Sequence, residues 1–236
     1  MFQGDDHWSH LEDFAKRFSL EVETANPQIR ELFEPSVAFA SSLLEMVAEL
    51  HAQGDQLTDF DRDNARKNLL RAAQHLLEST ILAVSGMYTS SSVVYRVSIE
   101  SFFQATYTCR EIESRLGSKL AANPRWFPVA EYCAILKRNA AFRPAAGHLH
   151  GVYKKLSKLA HGEWKDFNTL ERHLHSLPRF APKEAAKLSK IMIEGNAAAG
   201  ALIRGRFDSL FKVANVQRAA TFDRCVARLQ SRIPTP

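Results

Sequence analysis

Arg96 and Glu100 stand four residues apart in Tyr95-Arg96-Val97-Ser98-Ile99-Glu100-Ser101. Tyr153, Ser157 and His161 follow at steps of four in Tyr153-Lys154-Lys155-Leu156-Ser157-Lys158-Leu159-Ala160-His161-Gly162. On a helix such steps put side chains on one side, a turn apart. The first set pairs a guanidinium, suited to gripping an oxyanion, with a carboxylate able to orient it. The second ends at His161 just before Gly162, the usual residue beyond a helix C-terminus, where exposed carbonyls favour a protonated imidazole. An imidazolium beside Lys154, Lys155 and Ser157 suits general acid–base work or phosphate binding. Each set also has a structural reading: a buried Arg–Glu pair can lock helix register, and a histidine can simply cap its own helix. In Arg96/Glu100 the cation comes first, the less favourable order against the helix dipole. The neighbours Val93, Val94, Val97, Ile99, Phe102 and Phe103 predict that the pair is buried.

The elements that must hold these residues are helices. Apolar stripes at spacings of three and four recur throughout: Trp8, Leu11, Phe14 and Phe18; then Ile29, Leu32, Phe33, Val37, Leu43, Leu44 and Val47, with Pro35 expected to kink the segment. A third helix runs from about Asp61 to Gly86, and a fourth from Ser91 to Leu116 with the stripe Phe102, Ala105, Cys109, Ile112 and Leu116. After a break at Asn123–Pro128, a short helix spans Val129–Asn139; the next starts at Gly147 or His148, past Arg143-Pro144, and ends at His161. A long helix near Lys183–Val213 contains the small-residue run Asn196–Ala201, which invites close helix approach, and a last one covers Gln217–Ile233. Strand signals are almost absent. The expected fold is all-α: an antiparallel bundle of four long helices (residues 61–86, 91–116, 148–161 and 183–213), with added N- and C-terminal helices. Residues 1–57 form an acidic helical arm, and 58–236 the bundle with its C-terminal helix.

Arg-x-x-x-Glu on one long helix, followed by Tyr-x-x-Leu-Ser-x-x-x-His-Gly closing another, resembles the HEPN-like superfamily of bacterial helical proteins, particularly its abortive-infection and uncharacterised branches. The resemblance covers roughly residues 61–213 and rests on short motifs. It implies RNA or another nucleic acid as ligand, metal-independent ribonuclease chemistry in active members, a role in defence or toxin systems, and a homodimer. Active members separate an Arg from the His by four to six residues; here Lys154 and Lys155 occupy two of those places. Arg96 from the neighbouring helix is the candidate replacement. The resemblance thus implies His161 as acid/base, Arg96 with Lys154 or Lys155 on the phosphate, and Glu100, Tyr153 and Ser157 in orientation. A literal Arg-x4-His, Arg143–His148, and the longer Arg143–His150 are discounted because Pro144 and Gly147 disfavour the helix that the motif requires.

Charge allows a partner of either kind. Residues 1–60 hold twelve acidic side chains against three basic ones, which leaves +14 for the remainder of a chain whose net charge is +5. Either the acidic arm packs on the basic body, or the body meets a polyanion. Lys183, Lys187 and Lys190 share a helical face, and Tyr153, Trp164 and Phe167 are aromatics available for base stacking. The competing class is a non-catalytic adaptor that docks on a partner protein through the acidic N-terminal helices. His148-x-His150 and His173-x-His175 would point to opposite sides of a helix, and no cluster of ligands completes a metal site, so neither metal nor cofactor is expected. The three cysteines, Cys109, Cys133 and Cys225, are odd in number and scattered, which fits reduced core residues. Apolar runs fall short of the roughly 20 residues a bilayer needs, and the acidic start lacks a signal pattern, so a cytoplasmic protein is expected.

Overall fold

A computed structural model of the chain describes residues 27–52, 59–107, 128–160 and 181–233. Within them every regular element is a helix: α1 (Pro27–Ala52), α2 (Asp59–Val84), α3 (Tyr88–Ala105), α4 (Val129–Leu136), α5 (Arg143–Ala160), α6 (Pro182–Arg206), α7 (Asp208–Val213) and α8 (Val216–Ser231). They pack as the all-α bundle that the stripes require. None is long and apolar enough to cross a membrane. The stripe at Trp8–Phe18 lies outside the described residues.

The α2–α3 hairpin is the frame. Gly86 sits at φ 78°, a left-handed position that glycine occupies without strain; its amide donates to the Ala83 carbonyl and that of Met87 to Leu82, closing α2 in a Schellman turn. The two helices then run antiparallel in a register fixed by buried polar contacts. Ser79 and Ser91 donate to each other's carbonyls, Ser98 donates to Ala72, and Asn64 donates to Gln104. Each contact satisfies a side chain that would be costly to bury alone.

α1 lies against α2, α6 and α8, and α5 packs on α3 and α6. Although it comes from the acidic arm of the sequence, α1 sends Ile29, Phe33, Val37, Phe39, Leu43, Met46 and Leu50 into the common core. Two of its acids meet arginines of α8: Glu49 is almost fully buried and accepts from Arg218 Nη1 at 2.5 Å, and Glu34 accepts from Arg228. The small-residue run on α6 works as its composition suggests. At Gly200 an added Cβ would lie 2.5 Å from a Val226 methyl of α8 and 3.3 Å from the Phe39 ring of α1. Tyr95 of α3 reaches α6 in the same way, its hydroxyl lying between the Met192 carbonyl (3.0 Å) and Asn196 Oδ1 (2.9 Å), while Asn196 Nδ2 donates to Ser36 of α1.

Four expected boundaries or bends differ. α1 remains helical through Pro35; the carbonyl that Pro35 cannot serve, that of Glu31, accepts instead from Arg232 Nη1 at 3.0 Å. α3 stops at Ala105 rather than Leu116, where the Thr106 hydroxyl turns back to the Phe102 and Phe103 carbonyls. α5 begins at Arg143 rather than Gly147, because Pro144 falls in the first turn, where a missing N–H costs nothing. The long C-terminal helix breaks at Phe207, with α7 as a separate turn.

Candidate functional site

The α2–α3 register carries Arg96 and Glu100 to the flank that α5 covers. Tyr95, Ser98, Ile99 and Phe102 take the buried positions of α3, which leaves Arg96 and Glu100 at its margin. The pair is therefore half-buried, with side chains 22% and 31% exposed, and not enclosed as the apolar neighbours suggested; Val93 itself is exposed. Arg96 Nε lies 3.7 Å from Glu100 Oε1, a loose ion pair. Tyr153 of α5 completes the group: its hydroxyl donates to Glu100 Oε1 at 3.1 Å, and the Arg96 guanidinium carbon lies 5.7 Å from its ring centre. Burial, then the Glu100 carboxylate, raise the Tyr153 phenol above its ordinary value, so the phenol keeps its proton and remains a donor. The guanidinium is held by a carboxylate and an aromatic face while part of it still meets solvent. It can accept an anion there.

The other expected residues divide. Ser157 donates to the Tyr153 carbonyl of its own helix at 2.9 Å, the ordinary back-bond of a helical serine. Lys155 is exposed but reaches α6, where its ammonium lies 3.0 Å from Glu194 Oε2. That contact fixes α5 against α6 and neutralises the charge assigned to a phosphate. Lys154 is exposed. His161 and Gly162, with Trp164, Phe167, Lys165, His173 and His175, lie outside the described residues, and α5 is described as far as Ala160.

One residue in this region had been weighed only as half of a metal pair or of a discounted motif. His150 is half-buried on α5, its ring 6.4 Å from that of Tyr153 and tilted by 30°. Burial first, then Lys154 and Lys137, hold its imidazole below the ordinary value. Its spacing to Tyr153 and Lys154, three and four residues, was the readable signal. His148, two residues earlier, is exposed. Among the described residues no three His, Cys, Asp or Glu side chains gather as metal ligands. Cys133 and Cys225 are both buried thiols, and burial pushes Cys225 up to about 11.

No protein-family model, curated protein or solved structure matches this chain.

Proposed function

We propose that this protein is a HEPN-like RNA-binding protein that cleaves RNA without a metal, using the solvent-facing flank of α3 and α5. The observation that supports the reading is the Arg96–Glu100–Tyr153 group: a guanidinium held at the surface of α3 against Tyr153 of α5, the helix that His161 follows in sequence. In this reading Arg96 and Lys154 hold the scissile phosphate, and His161 moves the proton between the attacking 2′-hydroxyl and the leaving oxygen. Glu100 and Tyr153 keep Arg96 in place. A cation beside phosphorus stabilises the charge that develops as the 2′-oxygen attacks. The neighbouring surface is basic: Lys158 on α5, and Lys183, Lys187 and Lys190 on α6, are exposed. The resemblance adds a homodimer, measurable by light scattering.

The test is RNA cleavage by purified protein in chelator, beside Arg96→Ala and His161→Ala. Removing a proton-transfer group costs about 10²–10⁴-fold in rate, so both variants should lose almost all cleavage while remaining folded. Cleavage that survives both substitutions refutes the site. Affinity for RNA that does not fall with salt refutes the electrostatic reading.

A further inference from the structure

On α5, Gly147, His150, Gly151 and Lys154 follow at spacings of three and four and so share one stripe, away from the buried Leu149, Val152 and Leu156. Lys137, from the end of α4, lies across the start of that stripe: a Cβ at Gly147 would stand 3.3 Å from its Cε and 3.7 Å from its Nζ. Above Gly151 nothing lies within 4 Å of an added Cβ. The stripe is therefore a shallow bay with a glycine floor, an ammonium at each end and an imidazole between them. Arg143 braces it, its Nε donating to the Lys137 carbonyl at 3.0 Å.

Among the described residues no carboxylate pairs with Lys137 or Lys154. On the α3 side of this flank Glu100 accepts from Tyr153 and faces Arg96. The groups that face His150 are Lys154 on its own helix, Lys137 from α4 and the Tyr153 ring; the Cys133 thiol of α4 donates to the Ala146 carbonyl at 3.5 Å and is kept protonated by burial. Like charges held this close raise the free energy of the empty bay, and a bound dianion would relieve all of them at once. A single carboxylate would offset only one charge.

We propose that Lys137, His150 and Lys154 form a binding site for a dianionic phosphoryl group, the terminal phosphate of a nucleic-acid strand held on the same flank as Arg96. The identity of the natural ligand rests on the nucleic-acid reading above; the phosphate site itself does not. His150 acts here as a donor that takes up a proton when the anion arrives, so binding tightens as pH falls through the imidazole's value in the complex and levels off below its value in the empty bay.

The probe is inorganic pyrophosphate, titrated into the full chain while the His148 and His150 ring signals are followed by NMR. The expected result is a saturable response at His150 with its titration midpoint moved up, while exposed His148 stays still. Lys137→Gln and Lys154→Gln should each weaken pyrophosphate by about tenfold, the weight of one charge-assisted hydrogen bond. Gly151→Asp, which fills open space with a carboxylate, should abolish binding, raise the His150 midpoint without ligand and leave thermal stability unchanged. Equal responses at both histidines, no saturation, or unaltered affinity in the lysine variants would overturn the site, even if RNA still binds through Arg96.

Discussion

Arg96 and Tyr95 are adjacent, yet one faces an open flank and the other disappears into the bundle. Tyr95 is fully buried, and desolvation, with Glu194 nearby, keeps its phenol far above the usual range; Tyr88 and Tyr153 are shifted in the same direction. A raised value in the folded state means that folding holds these protons more tightly than the unfolded chain does. The stabilisation is therefore complete below about pH 10, where unfolded tyrosine ionises, and is lost as pH climbs through the folded values. Urea midpoints should stay level from pH 8 to pH 9.5 and fall beyond about pH 10. Tyr95→Phe should cost about 1 kcal/mol at pH 8 but show a shallower alkaline loss; equal slopes would remove Tyr95 as the cause. The partners of the site residues were beyond what local spacing can show. Arg96–Glu100 was legible because the pair lies within one helix, whereas the Tyr153 hydroxyl arrives from 53 positions away and the Glu194 that occupies Lys155 from 39. Half-burial was missed because Val93 and Val97 look apolar in sequence, although the α2 register turns Tyr95, Ser98 and Ile99 inward instead.

α3 and α6 meet where Gly195 faces Tyr95. An alanine there would place its methyl against the phenol oxygen and a Val152 methyl. Gly195→Ala should destabilise by about 1–3 kcal/mol, despite the better helix propensity of alanine. Combining it with Tyr95→Phe should recover part of that loss, because the oxygen in the way is gone; strict additivity in urea unfolding would show that this contact is not the source. The helices themselves were mostly legible in the sequence. Gly86 ended α2 as expected because a left-handed residue is a local requirement that glycine meets alone. Pro144 was misjudged because a proline reads identically in the first turn and in the interior, and only the position of the start tells them apart. Thr106 and Phe207 end their helices inside apolar periodicity that continues past them, so a stripe alone overshoots both stops.

Across the whole molecule, the strongest charge contacts join the two ends of the described chain. Glu49 of α1 is buried, holds Arg218 and also accepts from the Asn215 amide that caps α8. Arg218→Ala would take from that carboxylate its charged partner on α8. Breaking such a pair from one side costs about 3–5 kcal/mol when both partners are buried; with Arg218 45% exposed, about 2 kcal/mol is expected in urea unfolding, and an unchanged midpoint would show the pair to be inert. The sequence displayed the charge asymmetry but not its use, because periodicity does not say which helix an acidic helix will meet. The seam between α1 and α8 also bears on how the chain reaches this state. Its contacts span 166 to 201 residues, among the longest separations the fold contains, and closing such loops is slow. During synthesis α1 emerges early, with Phe39 and its small-residue neighbours ready to pack, and must wait for Phe222 and Val226 before that face is covered. The last of the described helices to be made is thus the one that completes the first of them, and the interval between the two leaves that apolar face open to aggregation.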